Sequence, residues 1–224
     1  LDQVDLPITF DDANVDYAIA DFGGNASQIV EDPTDPTNMV VETIKTGTAE
    51  VWAGTTAGND GLANPIPFSN ENTKMSVRVW SPDAGIPVRL KAEDTADGNI
   101  FVETEVLTTV AMEWDTLEFD FSMPAAGTPA LDIANTYDKV SIFFNFGTDG
   151  ATAGEKTYYW DDVQFVEGGG LFPLELPITF DDPDETYTLV DFGGNASTFV
   201  DDPENPGNTV VESIRTDAAE VFAG

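Results

Sequence analysis

The sequence predicts an all-β protein, a two-sheet antiparallel β-sandwich of the jelly-roll type arranged in tandem modules. Three observations carry this expectation. "KMSVRVW", "IPVRLKAE", "FVETEVLTTV", "DTLEFDFS", "KVSIFFNFG" and "TYYWDDVQFV" each alternate apolar and polar residues at the period of a half-buried strand. Turn clusters such as "SPDAG", "EDTADGN", "MPAAGTP" and "GTDGATAG" separate them, and no window sustains a helical period. Residues 6–54 return at 176–224 at a constant offset and without a gap, with 30 of the 49 paired residues identical.

In chain order, "LPITFDD" opens the module and "DFGGNAS" supplies a tight Gly-Gly turn. Asn25-Ala26-Ser27, repeated at Asn195-Ala196-Ser197, has the form of an N-glycosylation acceptor but is read as part of that turn. In "AEVWAG", Val51 and Ala53 share one face, leaving Glu50 and Trp52 on the other. Met75, Val77 and Val79 point inward from their strand, which turns Ser76, Arg78 and Trp80 outward. Val88, Leu90 and Ala92 do the same in the next strand, opposite Arg89, Lys91 and Glu93. Leu117, Phe119 and Phe121 face the core with Trp114 at its rim, and the best helix candidate is one turn around Asp132 to Tyr137. In the last strand Tyr159, Val163 and Phe165 are expected inside, with Tyr158 and Trp160 exposed. Residues 1–167 therefore form one complete module, 168–175 a Gly-rich linker ("VEGGGLFPLE"), and 176–224 the truncated start of a second copy.

Composition narrows the function classes. Forty-two acidic residues against eight basic ones leave a net charge of −34. Such a chain repels phosphate backbones and anionic membrane surfaces, so no nucleic acid and no membrane insertion is expected. Its self-repulsion is relieved by salt or bound cations. With no Cys and no His, disulfides, thiol metal sites and imidazole catalysis are all unavailable. No signal peptide or membrane span is apparent and the first residue is not Met, so any targeting segment is expected upstream.

Three constellations could carry chemistry. The outward strand faces place Arg78, Arg89 and Lys91, three of only eight basic residues, on one predicted hairpin beside Trp80, with Trp52 as a further outward aromatic. An indole beside planar polar groups is how a pyranose is held, its apolar face stacked and its hydroxyls hydrogen-bonded. Trp52, Arg78, Trp80, Arg89 and Lys91 are thus the candidate ligand-binding residues, against the alternative that either Trp merely covers a sheet edge. Two acidic pairs, Asp11-Asp12 near the start and Asp161-Asp162 near the end, would meet if first and last strands are neighbours. Asp32, Asp35 and Asn38 add a Pro-pinned acidic loop. All-oxygen donors favour calcium, as a structural clamp of weak affinity, against the alternative of solvated acidic loops. Finally, Glu113, Asp115 and Glu118 resemble in spacing the catalytic strand of family 16 β-glucanases. Alternation separates Glu118 from the other two, so a bulge would be required.

Taken together, "LPITFDD", "DFGGNAS", "EVWAG", "VRVWSPDAGIPVRLKAE", "WDTLEFDFS", "KVSIFFNFG" and "YYWDDVQF" resemble secreted tandem modules of marine Bacteroidota. Those modules occur beside laminarinase-type glycosidases and in surface glycan-binding proteins. The closing "YYWDDV" is similar to the last strand of calcium-containing jelly-roll carbohydrate-binding modules. That resemblance implies Asp161 with Asp11 or Asp12 as ion ligands, export to the cell exterior, and β-glucans such as laminarin as ligands.

The leading expectation is a non-catalytic polysaccharide-binding module of a secreted or cell-surface protein. Each site would be weak, roughly −4 to −8 kcal/mol, and gain avidity from neighbouring modules of the same chain. The cationic patch could also admit a uronate or sulfate. The alternatives are a structural repeat of a calcium-stiffened adhesin or filament and, third, a glycosidase.

Overall fold

The computed structural model describes residues 1–166, 180, 187 and 189–216. The chain divides into two compact units, Leu1–Gly170 and Leu171–Gly224. The linker expected at 168–175 lies outside the described residues.

In the first unit the strands are β1 (Asp2–Gln3), β2 (Val15–Asp16), β3 (Ala20–Phe22), β4 (Asn25–Asp32), β5 (Asp35–Lys45), β6 (Gly54–Ala57), β7 (Lys74–Trp80), β8 (Pro87–Glu93), β9 (Phe101–Leu107), β10 (Trp114–Asp120), β11 (Lys139–Phe144) and β12 (Lys156–Val166). They build two five-stranded antiparallel sheets, ordered β10-β7-β12-β5-β4 and β3-β6-β11-β8-β9, with β1 and β2 a small parallel pair. This is the jelly-roll sandwich that the alternating pattern predicts. One helical turn, α1 (Gly150–Ala153), is capped by Asp149, whose side chain accepts from the Thr152 amide. It replaces the turn expected at Asp132 to Tyr137, where the chain is irregular.

The inner faces follow from alternation. Met75, Val77, Val79, Val88, Leu90, Ala92, Leu117, Phe119 and Phe121 are all buried in one core. At about 25 cal/mol per Å² of apolar surface removed from water, these side chains supply the main drive for closing the sandwich. Lys45 is also on an inner face, and its Nζ donates to the carbonyls of Phe144 and Asn145 on the facing sheet, both at 3.0 Å.

The last strand departs from the expectation. Tyr158 and Trp160 are fully buried, with Tyr158 stacked on Phe144 at 4.5 Å and the Trp160 indole donating to Thr43 Oγ1 at 3.0 Å. Tyr159 is turned to the outer face instead. The cause is a bulge between Asp161 and Gln164, where Asp162 adopts φ +49°. One extra residue inverts the alternation, so the inward phase of Val163 and Phe165 does not extend back to residue 159. Val51, expected to share the face of Ala53 opposite Trp52, is 40% exposed while Ala53 is buried, because residues 51 and 52 form a turn and not a strand.

In the second unit, β13 (Asn195–Asp201) and β14 (Thr209–Arg215) reproduce the β4–β5 hairpin. Asn195 pairs with Arg215 as Asn25 pairs with Lys45, and Val200 with Val210 as Val30 with Val40. The Phe10–Tyr17 ring contact recurs as Phe180–Tyr187. Identical residues at constant offset therefore fold to the same local structure.

Candidate functional site

The outer face of the β3-β6-β11-β8-β9 sheet carries a file of aromatic rings. Along β11, Val140, Ile142 and Phe144 turn inward, which sends Lys139, Ser141 and Phe143 outward. Phe22 on β3 meets Phe143 edge-on at 5.5 Å, and Phe143 meets Phe146 at 5.8 Å. Trp52 lies nearly parallel to Phe22, centroids 6.3 Å apart and planes 14° apart, and remains 47% exposed. Two glycines make the file possible. A Cβ on Gly54 would stand 2.5 Å from Phe22 Cζ and 2.8 Å from Phe143 Cδ1, and one on Gly23 would stand 3.0 Å from Trp52 Cζ3. Gly23 also adopts φ +66°, in the left-handed region.

Beside the rings runs a grid of paired charges set by strand register. Lys91 faces Ser141 on one neighbour and Glu103 on the other, Arg89 faces Phe143 and Glu105, and Lys139 faces Glu93. Arg89 lies 3.6 Å over the Phe146 ring and grips Glu103 at 2.9 Å and Glu105 at 3.0 Å. Glu93 accepts from both Lys91 and Lys139, and Lys91 also sits 4.6 Å over Phe101. Burial lowers the Lys91 pKa, with Glu103 opposing and Lys139 adding to the shift. The three cations are thus matched by three carboxylates. Lys91, Glu93, Glu103 and Lys139, with Thr56, Asn59, Ser141 and the four rings, line an open hollow of about 480 Å³.

Trp52, Arg89 and Lys91 belong to this face, with Lys91 and Trp52 lining the hollow and Arg89 at its border. Arg78 and Trp80 do not. The hairpin expected between β7 and β8 is absent, because residues 81–86 carry the chain across to the other sheet. Both strands bury their other face, so Arg78 and Trp80 end on the far side of the sandwich from Arg89 and Lys91. Arg78 there bridges Asp32 at 3.3 Å and Asp161 at 3.6 Å, and lies 3.9 Å over the Trp114 ring. Trp114 is accordingly on that outer face and not at the core rim. Sequence reading missed Phe22, Phe143, Phe146, Glu103 and Lys139. Phe22 was legible from its place beside the repeated Gly-Gly, and Phe143 from its phase against Ile142 and Phe144.

The acidic pairs approach each other as far as one short stretch of β5. Ile8 bridges Val163, bringing the opening segment beside the last strand. Asp11 Oδ1 accepts from the Met39 amide at 2.8 Å, and Asp161 Oδ2 accepts from Asn38 Nδ2 at 2.9 Å. Asp161 Oδ1 is buried without a hydrogen-bond partner, and burial pushes the carboxyl up to about 6. Asp12 Oδ1 closes its own turn on Asn14, and Asp162 sits on the bulge. Among the described residues no three carboxylates gather closely enough to enclose a metal. Asp161 Oδ1 is the oxygen a hard cation could use there, since Asp161 Oδ2 already accepts from Asn38 Nδ2 and stands 3.6 Å from Arg78.

Glu113, Asp115 and Glu118 are dispersed. The β10–β7 register is unbroken from Trp114 to Asp120, so the required bulge does not occur. Asp115 accepts from Thr109, Glu118 pairs with Lys74 at 2.6 Å, and Glu113 is exposed outside the strand. Asn25, in the glycosylation-like tripeptide, directs its Nδ2 at Thr55 Oγ1, 3.1 Å away. No helix among the described residues is long and apolar enough to cross a membrane.

No family model and no curated protein matches the chain. Among solved structures it is similar to a family 11 carbohydrate-binding module from Clostridium thermocellum in complex with a β-1,3-1,4-mixed-linked tetrasaccharide. That match is 17% identical with a TM-score of 0.48, and covers 70% of this chain and 92% of the other. A xylan-binding domain from Paenibacillus barcinonensis is 15% identical with a TM-score of 0.42, covering 70% and 95%. An exo-β-agarase gives 12% identity and a TM-score of 0.47, covering 70% of this chain and 24% of that one. Likeness at this level carries no argument about the ligand of this chain.

Proposed function

We propose that the first unit is a non-catalytic polysaccharide-binding module of a secreted or cell-surface protein, with a β-glucan such as laminarin as its ligand. One observation carries this reading: the aromatic file from Trp52 to Phe146 lies along a charge-balanced polar grid in an open hollow. Trp52 and Phe22 offer ring faces to a pyranose, and Glu93, Lys91 and Lys139 offer fixed acceptors and donors to its hydroxyls. Because the cations are already paired, the hollow suits a neutral sugar better than a uronate or sulfate. Calcium at the unpartnered Asp161 Oδ1, with Asp11 from the opening segment, would tie that segment to the last strand and add to the positive charge that Arg78 already places beside Asp161 Oδ2. The second reading, a calcium-stiffened structural repeat of an adhesin or filament, is favoured by the recurrence of one hairpin in the same register. Affinity electrophoresis of the chain through gels containing laminarin, mixed-linkage β-glucan or xylan separates the two. Retardation by one of them supports glycan binding, and free migration through all three supports the scaffold.

A further inference from the structure

The outer face of the opposite sheet carries a second aromatic arrangement that the hollow does not use. Register makes it a single file across the strands. Trp114 stands opposite Trp80, Trp80 opposite Tyr159, Tyr159 opposite Glu42, and Glu42 opposite Gln28. Val79 and Trp160, adjacent in sequence to these positions, are buried, so the file faces outward. Trp80 and Tyr159 meet edge-on at 5.6 Å, all three aromatic residues are partly exposed, and the Arg78 guanidinium lies 3.9 Å over the Trp114 ring.

Polar groups frame the rings. The Tyr159 hydroxyl donates to Glu42 Oε2 at 3.1 Å and Gln28 Nε2 donates to Oε1 at 2.9 Å, so both carboxylate oxygens are held in place. At the other end the Trp114 indole donates to Thr34 Oγ1 at 3.1 Å and Asp32 Oδ1 at 3.3 Å. The turn between β4 and β5 therefore stands beside the file as a polar wall. Three strands span about 10 Å, the length of a disaccharide.

We propose that this file is a second saccharide-binding surface, so that one unit holds polysaccharide on both faces and cross-links two chains. The chemistry selects the occupant. A sugar presents an apolar ring face bordered by hydroxyls, matching rings bordered by a fixed carboxylate and an amide. An anionic partner is disfavoured by the charge of −34 and by Arg78, whose guanidinium is engaged by Asp32 and Asp161. A polymer with many copies of one epitope would join both weak sites through effective concentration.

The test uses the full chain with hexasaccharides of laminarin, mixed-linkage β-glucan and xylan in calorimetric titrations, and the parent polysaccharides in a turbidity assay. Wild type is expected to bind about two hexasaccharides, and Trp52→Ala and Trp80→Ala about one each. Only wild type should make the polysaccharide turbid. Glu42→Ala, a surface change, should lose the same site as Trp80→Ala and guards against misfolding of the latter, with melting temperatures as the control. If Trp52→Ala abolishes all binding while Trp80→Ala and Glu42→Ala match wild type, the second surface is overturned and the first stands. If Trp52→Ala changes nothing while Trp80→Ala removes binding, the hollow is overturned and this surface stands. No binding by wild type overturns both. Self-association of the glycan-free chain that Trp80→Ala removes would assign the surface to a second copy instead.

Discussion

The indole of Trp52 lies within 14° of parallel to the ring of Phe22, at 6.3 Å, on the outer face of one sheet. Phe22 belongs to a strand and Trp52 to a turn, and the two meet over Gly23, whose missing side chain leaves room for the indole. The pair forms the exposed end of an aromatic file that continues through Phe143 to Phe146. An aromatic contact is worth about 1 kcal/mol, so Trp52→Ala is expected to weaken glycan binding at least about fivefold. Titration of the variant against wild type measures it, and its melting temperature should move little because the side chain is half solvated.

Gly54→Ala should damage both stability and binding. The added methyl would press against Phe22 and Phe143 at once, and neither ring can retreat without leaving the file. Overpacking of this kind costs about 1–3 kcal/mol. Urea unfolding should show that loss, and affinity should fall with it although no polar contact has been removed.

The strand faces were legible in the sequence because each depends only on its own alternation. For that reason alternation alone separates the buried Val77 from Arg78 and the buried Leu90 from Arg89. Which strands become neighbours depends on the whole chain, so adjacency in sequence puts Arg78 and Trp80 beside Arg89 and Lys91 while the fold puts them on different sheets. Six residues between β7 and β8 suffice for a loop within a sheet or for a crossing between sheets, and nothing local decides between them. The error at Tyr158 and Trp160 has another origin, since one bulged residue inverts every position behind it. Within "SIFFNFG", Phe143 can be phased against Ile142 and Phe144, whereas Phe146 lies beyond the end of the strand, where no alternation places it.

Lys45 gives the fold a measurable alkaline signature. Burial pushes its pKa down to about 8 from an ordinary 10.5, partly opposed by Asp149. Between these values the unfolded chain holds a proton that the folded chain has released, so stability contributed by this group rises with pH. The stability of wild type relative to Lys45→Met is therefore expected to increase between pH 8 and 10.5. Urea unfolding of both proteins at the two ends of that window checks the sign.

The proposed ion at Asp161 predicts ligand-linked stability. At a hundredfold excess over its dissociation constant, calcium would add about 2.7 kcal/mol. Calcium should raise the wild-type melting temperature and a chelator should reverse the rise, whereas Asp161→Ala should respond to neither. Equal responses in both proteins would place any bound calcium elsewhere.

Glu113→Gln and Glu118→Gln should leave glycan binding and fold unchanged, because Glu113 is exposed and the Lys74–Glu118 pair is solvent-facing. Reducing-sugar release from laminarin, compared with wild type, should not alter in either variant.

The most direct measurement is calorimetric titration of the chain with a laminarin hexasaccharide, repeated for Trp52→Ala and for Glu93→Gln. Polysaccharide recognition by the hollow requires micromolar to millimolar binding by wild type and a clear loss in each variant. Wild-type heats indistinguishable from dilution, for laminarin and for mixed-linkage and xylan hexasaccharides alike, would contradict it.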